Sequence, residues 1–344
     1  MKSLVTGGAG FIGSHVAKHC LKLGHEVVVL DDLSGGFADN VPPGAVFREG
    51  SDTDAGLIAE LFRQHRFDYV YHLAAYAAEG LSHFIRAYNY QNNVLGTVNL
   101  LNASVNAETV RRFVFTSSIA VYGAAQNPMT EATAPTPEDP YGVAKYACEL
   151  DLRAAHEMFG IDYTVFRPHN VYGEHQNIGD RYRNVIGIFM NQIMQGQPMT
   201  MFGDGSQTRA FTHVDDVGPI IARCVDVSAS ANEVFNIGAE TPTSVRDLAG
   251  VVARTFGVEP EIRCLEARKE VVDAFSTSEK LQSVFGRQTY IPLAEGVARM
   301  AAWAKAKGPR TTAPFTGIEV LKNLPASWRV GLPPVPSPSG RGLG

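Results

Sequence analysis

The chain opens with an apolar segment, a glycine-rich turn and an amphipathic segment in immediate succession. In the turn, "TGGAGFIG", Gly7, Gly10 and Gly13 form the pattern G-x-x-G-x-x-G. Glycines at this spacing let the backbone at a helix start approach a pyrophosphate, because no side chain intervenes and the helix N-terminus carries partial positive charge. Such a turn also serves as a plain connector between strand and helix, so alone it is weak evidence of a nucleotide site.

The end of the second apolar segment supplies a further part of a dinucleotide site. Asp31 follows Gly13 by 18 residues, where its carboxylate can accept hydrogen bonds from the ribose of adenosine. The same negative charge repels a 2′-phosphate, and the next basic residue after Asp31 is Arg48. We therefore expect NAD rather than NADP as the cofactor.

The first half of the chain alternates short apolar runs with amphipathic runs, a pattern typical of a parallel sheet covered by helices on both faces. The predicted strands are "SLVTG", "HEVVVLD", "FDYVYHLA", "RRFVFTSS" and "DYTVFRP". The predicted helices are "IGSHVAKHCLKLG", "AGLIAELFRQH", "NNVLGTVNLLNASV" and "YGVAKYACELDLRAAHEMFG". The fold class predicted is α/β, a Rossmann doubly wound parallel sheet with a smaller C-terminal substrate domain.

After about residue 168 the alternation loosens, which indicates a second domain. We expect an NAD-binding Rossmann domain over residues 1–168 and mainly a substrate-binding domain over residues 169–330, with a helix near "RNVIGIFMNQIMQG". The segment 233–238 is a candidate to rejoin the first sheet, so the domains would interleave. Residues 331–344 are rich in Pro, Gly and Ser and predict a flexible tail.

Composition excludes several other classes of protein. The 344 residues carry a formal charge of −5, without the clustered basic face that nucleic-acid binding needs. We find no apolar run of membrane-spanning length and no N-terminal leader before the first strand. Four scattered cysteines without C-x-x-C spacing favour a reduced cytoplasmic setting and no metal site.

Tyr141 and Lys145 are a candidate catalytic pair. They lie four residues apart near the start of a predicted helix, so their side chains share one face. A nearby ammonium and a positive nicotinamide ring both favour the tyrosinate, which could then act as a base. On its own the pair is better explained as a helical surface pair. Ser118, at the carboxyl end of the strand "RRFVFTSS", adds a hydroxyl at the edge where such sheets bind ligands.

Seven motifs occur in the order seen in extended short-chain dehydrogenases. They are "TGGAGFIG", "HLAA", "NNVLGT", "TSSIAVYG", "YGVAK", "RPHNVYG" and "FGDGSQTRAFTHVDDV", and they span most of residues 1 to 275. The chain most resembles the UDP-sugar 4-epimerase group of this superfamily, which includes the UDP-glucose and UDP-glucuronate 4-epimerases. One departure concerns the contact with adenine, which the family usually makes through a Gly-Asp pair. This chain has Gly50-Ser51-Asp52 there, so either Ser51 or Asp52 would contact adenine.

The resemblance implies roles for individual residues. It makes Tyr141 the base, Lys145 its electrostatic partner and ribose ligand, and Ser118 the hydroxyl that orients the sugar O4. The cofactor-binding residues it implies are Gly7, Gly10, Phe11, Ile12, Gly13, Asp31, Asp32, Ser51, Asp52, Leu73, Ala74, Ala75, Asn93, Tyr141 and Lys145. The substrate-binding residues are Thr116, Ser117, Ser118, Asn170, Arg181, Arg183, Asn184, Thr200, Phe202, Arg209 and Arg268, with Phe202 at the uracil and Arg209 and Arg268 at the diphosphate.

The residues that follow Ser118 bear on the reaction. Related 4,6-dehydratases have an Asp-Glu pair there, and UDP-glucuronate decarboxylases have a glutamate at the second position. This chain has Ile119 and Ala120, neither of which can transfer a proton. The expected reaction is therefore 4-epimerisation through a transient 4-keto sugar, with hydride returned to the opposite face. A dehydratase or decarboxylase, a plain dehydrogenase and a non-catalytic NAD-binding regulator are the rivals.

The sugar is less defined than the reaction. Arg181 and Arg183 lie close in sequence to Asn184 and could hold a C6 carboxylate, which favours UDP-glucuronate over UDP-glucose or an N-acetyl sugar. Against this, Asn177 stands where glucuronate epimerases often have an arginine, and both arginines could instead serve loop folding. The helices "NNVLGTVNLLNASV" and "YGVAKYACELDLRAAHEMFG" carry surplus apolar surface, which predicts a homodimer.

Overall fold

A seven-stranded parallel sheet forms the centre of the computed structural model, which describes residues 1–267, 271–313 and 315–329. Its strands are β1 (Lys2–Thr6), β2 (Glu26–Asp31), β3 (Val46–Glu49), β4 (Tyr69–His72), β5 (Arg112–Thr116), β6 (Tyr163–Pro168) and β11 (Glu233–Ile237). They lie in the order β11-β6-β5-β4-β1-β2-β3. Because all seven run in parallel, their carboxyl ends share one edge, where a ligand site is expected.

Short strands after β6 form three small sheets beside the central one. The strands are β7 (Val171–Tyr172), β8 (Met199–Phe202), β9 (Thr208–Ala210), β10 (Thr212–His213), β12 (Pro242–Ser244), β13 (Ile262–Leu265) and β14 (Asp273–Ala274). β10 pairs with β7, β13 with β8, and β9 with both β12 and β14. These sheets are too short to bury a core alone, so they pack with helices around their own apolar cluster.

Helices cover both faces of the central sheet and the smaller sheets. They are α1 (Phe11–Lys22), α2 (Ala55–His65), α3 (Glu79–Ser82), α4 (Arg86–Tyr90), α5 (Gly96–Ala107), α6 (Pro140–Phe159), α7 (Val185–Met194), α8 (Val214–Arg223), α9 (Val245–Phe256), α10 (Glu279–Phe285) and α11 (Leu293–Lys307). Two separate apolar clusters lie between the sheet and its helices, one on each face. The predicted doubly wound α/β fold is confirmed.

Local sequence explains where α6 begins and ends. Asp139 caps its N-terminus, since the carboxylate accepts hydrogen bonds from the backbone N–H groups of Tyr141 at 2.9 Å and Gly142 at 3.0 Å. Pro140 occupies the first turn, where its missing N–H costs nothing. Gly160 ends the helix with a φ of +73°, a conformation that favours glycine.

The segments predicted as strands and helices in the first half of the chain adopt those structures. Strand β3 was not anticipated, because this mostly exposed edge strand lacks the apolar run that marks its neighbours. β11 pairs with β6 across five residues, so chain from beyond residue 168 joins the first sheet. The division at residues 168 and 169 stays a prediction, and the tail 331–344 lies outside the described residues. Among the described residues, no helix is long and apolar enough to cross a membrane.

Candidate active site at the carboxyl edge of the sheet

A cleft of about 460 Å³ opens along the carboxyl edge of the sheet. The predicted residues that line it are Gly7, Gly10, Phe11, Ile12, Gly13, Asp31, Asp32, Ser51, Asp52, Leu73, Ala74, Ala75, Thr116, Ser117, Ser118, Tyr141, Lys145, Asn170, Arg183, Asn184 and Arg209. They come from segments spread over some 200 positions of the chain. The parallel sheet brings most of them together, because they follow the carboxyl end of a strand or lie at the start of the next helix.

The glycine-rich turn packs too tightly to accept side chains. A Cβ atom at Gly13 would lie 2.0 Å from the carbonyl oxygen of Gly7, and one at Gly7 would lie 2.7 Å from the amide nitrogen of Ala74. Gly7 also has a φ of +69°, which disfavours any other residue. The turn therefore offers bare backbone at the start of α1, as a bound pyrophosphate requires.

Asp31 joins the glycine turn to the loop that follows β2. Its carboxylate accepts hydrogen bonds from the backbone N–H groups of Ala9 at 3.0 Å and Leu33 at 2.9 Å, and it lines the cleft. Burial raises the pKa of this carboxyl above its usual range. A ribose hydroxyl that donates to the carboxylate would stabilise its charged form.

Asp52 carries a buried oxygen that no described residue satisfies. Its Oδ2 has no hydrogen-bond partner in the described chain, and burial, with the nearby charge of Asp32, raises the pKa of the carboxyl to about 7. The hydroxyl of Ser51, by contrast, already contacts the Thr53 hydroxyl at 2.8 Å. A donor such as the adenine amino group fits Asp52 better than Ser51, because it would satisfy the buried oxygen.

Helix α6 places three side chains, each four residues after the last, against the end of β5. The Tyr141 phenol lies beside the Ser118 hydroxyl, which acts to lower the pKa of Tyr141, and the Lys145 ammonium donates to the carbonyl oxygen of Thr116 at 2.8 Å. One turn further, Glu149 accepts a hydrogen bond from the Ser117 hydroxyl at 2.5 Å. The helical repeat of the sequence thus sets three successive contacts with the Thr-Ser-Ser run.

The three hydroxyls of that run have different surroundings. The Thr116 hydroxyl is buried without a partner among the described residues. Ser118 accepts a hydrogen bond from the backbone N–H of Ala120 at 3.1 Å and faces Tyr141. Ser117 is directed to Glu149, which also forms a buried ion pair with Arg167. Thr116 and Ser118 can therefore offer their hydroxyls to a ligand, whereas the Ser117 hydroxyl is already engaged.

Burial controls the ionisation of the candidate pair. It raises the pKa of Tyr141 well above the usual range, and the negative charge of Glu79 adds to that rise. Burial also lowers the pKa of Lys145 to about 8. The ammonium lies 5.9 Å from the centre of the Tyr141 ring, so a charged Lys145 acts against the rise. A cationic ring placed beside Tyr141 would act in the same direction.

Four of the predicted site residues that the structure describes do not line the cleft, and a fifth lies outside the described residues. The Asn93 amide forms hydrogen bonds with the backbone of Tyr76, and Thr200 forms hydrogen bonds with Gln192. Phe202 packs against the Trp328 ring, with 6.1 Å between the ring centres, and Arg181 is exposed to solvent. The fifth, Arg268, lies outside the described residues. For Asn93, Thr200 and Phe202, contacts within the protein occupy the side chain that sequence position alone had assigned to a ligand, whereas Arg181 remains exposed to solvent.

The arginines that do reach the cleft are already held by protein groups. Arg209 donates from its guanidinium to the backbone carbonyls of Thr208, Val271 and Val272. Arg183 is paired with Asp180, with 2.6 Å between Nη2 and Oδ2. Arg183 is therefore compensated in charge, which weakens the predicted carboxylate-binding role.

Several cleft residues were missed by the sequence analysis. They lie in the segment after β4 and in the loop before α7, and include Tyr76, Glu79, His83, Tyr88 and Asp180. No motif marks these positions. The spacing of Glu79 and His83, four residues apart in the segment after the "HLAA" strand, is the signal that could have drawn attention to them.

Residues 3–238 match the model of the NAD dependent epimerase/dehydratase family, which is more than half of the chain. The chain belongs to this family. This membership confirms three predictions: the chain is an extended short-chain dehydrogenase, it is an enzyme, and its cofactor is NAD. The glycine turn, Asp31 and the orphaned oxygen of Asp52 fit that cofactor.

Relatives of the chain in this family include epimerases of several sugars. A UDP-glucose 4-epimerase from Mycolicibacterium smegmatis is 34% identical over 89% of this chain and 99% of its own. The structure of a Thermotoga maritima UDP-glucose 4-epimerase with UDP-glucose, also 34% identical, covers 89% of this chain and 99% of its own with a TM-score of 0.85. A UDP-glucuronic acid 4-epimerase from Bacillus cereus, with UDP-glucuronic acid and NAD, is 27% identical over 89% of this chain and 100% of its own, with a TM-score of 0.82.

Proposed function

We propose that the protein is a UDP-sugar 4-epimerase that interconverts UDP-glucose and UDP-galactose. The observation that carries this proposal is the placement of Tyr141, Lys145 and Ser118 in one cleft with the glycine turn. Ile119 is buried in a neighbouring apolar cluster, and neither it nor Ala120 lines that cleft. The positions where a dehydratase or decarboxylase carries its extra acid thus supply no group for proton transfer.

NAD would be held by bare backbone and by two carboxylates. The glycine turn would face the pyrophosphate, Asp31 the adenosine ribose and Asp52 the adenine amino group, while Lys145 would reach the second ribose. When bound, NAD supplies the hydride acceptor for the sugar carbon and later returns the hydride. Because the cofactor is regenerated in each turnover, the reaction yields no net NADH.

The side chains of this chain handle the proton. Ser118 would hold the sugar O4 beside Tyr141, whose phenolate takes the proton of that hydroxyl as the C4 hydride departs. The positive charge of Lys145 stabilises the phenolate, which burial otherwise opposes. After the keto sugar turns over, the protonated Tyr141 returns its proton to O4 as hydride is delivered to the other face of C4.

Groups on the opposite side of the cleft would hold the nucleotide. Asn170 and Asn184 line the cleft in left-handed backbone conformations, with φ of +42° and +65°. Their amides are suited to diphosphate and sugar oxygens, and Arg209, whose guanidinium is held by backbone carbonyls, would add positive charge at the diphosphate. A fixed diphosphate would let the sugar ring rotate while the UDP portion stays in place.

The charges in the cleft support a neutral sugar over a uronate. The predicted preference for UDP-glucuronate rested on Arg181 and Arg183, but the first is exposed and the second is neutralised by Asp180. Glu79 adds negative charge near Tyr141, which would repel a C6 carboxylate. The Mycolicibacterium smegmatis and Thermotoga maritima relatives, both UDP-glucose 4-epimerases, also support the neutral sugar.

A substrate panel tests the proposal. The purified protein is incubated separately with UDP-glucose, UDP-N-acetylglucosamine and UDP-glucuronate, and products are separated by chromatography while NADH absorbance is followed. We expect UDP-galactose as the main new product and no net NADH. A decarboxylated pentose, a 4-keto-6-deoxy sugar or preferred turnover of the uronate would contradict the proposal.

A matched pair of tyrosine variants tests the base. Tyr141→Phe should abolish turnover but leave nucleotide binding intact, because only the reacting hydroxyl is removed. Tyr146→Phe serves as the control, since Tyr146 lies on the same helix but does not line the cleft. Full activity in Tyr141→Phe would remove this residue as the base.

We also propose a homodimer formed through α5 and α6. Val143 and Leu150 lie two helical turns apart on α6 and are 39% and 42% exposed, and Leu95 just before α5 is 44% exposed. Apolar side chains at this spacing form one stripe, which a second copy would cover. A cytoplasmic location is proposed with it, supported by three buried free cysteines.

A further inference from the structure

The Asp180 and Arg183 side chains form an ion pair that is largely buried at the cleft. The Arg183 Nε donates to Asp180 Oδ2 at 2.7 Å, and Nη2 approaches the same oxygen at 2.6 Å. The side chains are only 15% and 8% exposed. Asp180 is itself fixed, because its other oxygen accepts a hydrogen bond from the backbone N–H of Tyr182 at 2.8 Å.

Arg183 reaches from this loop to the opposite wall of the cleft. Its guanidinium lies over the Tyr76 ring, 4.8 Å from the ring centre. A Cβ atom built on Gly35 would lie 3.3 Å from Nη2, so the guanidinium packs directly on the backbone of the loop that follows Asp31. Gly35 does not have a left-handed φ, so backbone conformation does not require a glycine here. What the glycine provides is room for the Arg183 guanidinium.

The loop around Gly35 belongs to the cofactor side of the cleft. Phe37 donates a backbone hydrogen bond to the carbonyl oxygen of Ala9 in the glycine turn at 2.9 Å. Gly35 and Gly36 both line the cleft beside Asp31. Arg183 therefore connects the substrate-side loop before α7 with the loop that would lie along the adenosine half of NAD.

We propose that Arg183, oriented by Asp180, is a positioning residue that closes the loop before α7 over bound NAD and slows release of the cofactor. Asp180 engages Nε and Nη2, which fixes the orientation of the guanidinium at the wall of the cleft. Charge-assisted hydrogen bonds of an oriented guanidinium are among the stronger polar contacts in proteins. The proposal rests on the NAD site of the proposed function and is independent of which sugar is converted.

NAD retention is the direct measurement. Holoprotein is passed through gel filtration, the bound NAD is quantified after denaturation, and its dissociation rate is measured under dilution. Arg183→Met, which keeps an apolar stem over Tyr76, should release NAD about tenfold to a hundredfold faster than the parent. Arg181→Ala is the matched control, because Arg181 lies two residues away and is exposed, and it should release NAD at the parent rate.

Two further variants separate the closure from a general loss of structure. Asp180→Asn keeps most of the side-chain shape but weakens the orientation of Arg183, so an intermediate release rate is expected. Gly35→Val keeps Arg183 and Asp180 intact but fills the space between Nη2 and the loop, so faster release is expected there too. Circular dichroism should remain unchanged for each variant.

Release at the parent rate in both Arg183→Met and Gly35→Val would overturn the proposal. An equally fast release in Arg181→Ala would also overturn it, because the effect would then belong to the loop in general. Excess NAD should restore turnover in Arg183→Met. If retention changes as expected but UDP-glucose is not epimerised by the parent, the proposed reaction fails and the closure stands.

Discussion

Removal of Glu149 should destabilise the protein strongly, because it leaves a buried charge without its partner. Glu149 and Arg167 form an ion pair behind the Thr-Ser-Ser run, with side chains only 4% and 5% exposed. The Glu149 carboxylate accepts hydrogen bonds from Arg167 and from the Ser117 hydroxyl. Loss of one member of a buried pair costs about 3–5 kcal/mol, so Glu149→Ala should lower the free energy of unfolding by that amount.

Urea denaturation at fixed NAD concentration measures the change. A double variant, Glu149→Leu with Arg167→Met, replaces the pair by apolar groups of similar size and should regain most of the lost stability. The Tyr122 hydroxyl, which accepts from Arg167, would keep its 2.8 Å hydrogen bond to Asn236 in that variant.

Glu157→Ala is the control, because Glu157 is exposed on the same helix and its loss should change stability by less than about 0.5 kcal/mol. A loss below about 1 kcal/mol in Glu149→Ala would refute the reasoning. So would a double variant no more stable than the single one, because the cost would then not come from an unpaired Arg167.

Three further variants follow from charge and exposure. Glu79→Gln removes a negative charge that raises the pKa of Tyr141, so the acidic limb of the pH–rate profile should move to lower pH, by less than about one unit since Glu79 is exposed. Burial, with the charge of nearby groups, lowers the pKa of His175 to about 4, so as pH falls from about 6.5 to 4 this residue is protonated in the unfolded chain before it is protonated in the folded one. The folded protein therefore loses stability over that pH range. His175→Asn should reduce this loss by about 1–3 kcal/mol, measured by urea unfolding. Leu150→Glu should convert the proposed dimer to a monomer by sedimentation, whereas the exposed Val258→Glu should leave the mass unchanged.

Each of these three predictions has an outcome that would contradict it. An unmoved acidic limb in Glu79→Gln would mean that its charge is screened from Tyr141 by solvent. If stability depends on pH as steeply in His175→Asn as in the parent, other groups cause that dependence. His15 is one such group, because burial also lowers its pKa. A parent protein that sediments as a monomer at micromolar concentration would remove the dimer proposal.

The sequence by itself determined the class of fold and the cofactor, and it predicted the pair of Tyr141 and Lys145 that the fold places at the cleft. Those features depend on short-range patterns: the apolar alternation, the glycine spacing before α1, and the four-residue repeat that carries Tyr141 and Lys145. A local pattern survives folding unchanged, because neighbouring residues on one helix or turn keep their spacing whatever surrounds them.

Only the tertiary structure decided which long side chains reach the cleft and which are taken up elsewhere. Arg183 meets Asp180 and Gly35, Asn93 holds the backbone of Tyr76, and Phe202 packs on Trp328. Apart from the Arg183–Asp180 pair, these contacts join separate segments of the chain, and an arginine, an amide or an aromatic ring is satisfied equally well by protein or by ligand. The predicted preference for a uronate rested on two arginines in one loop, and only the structure shows that Arg181 is exposed and that Arg183 is paired with Asp180.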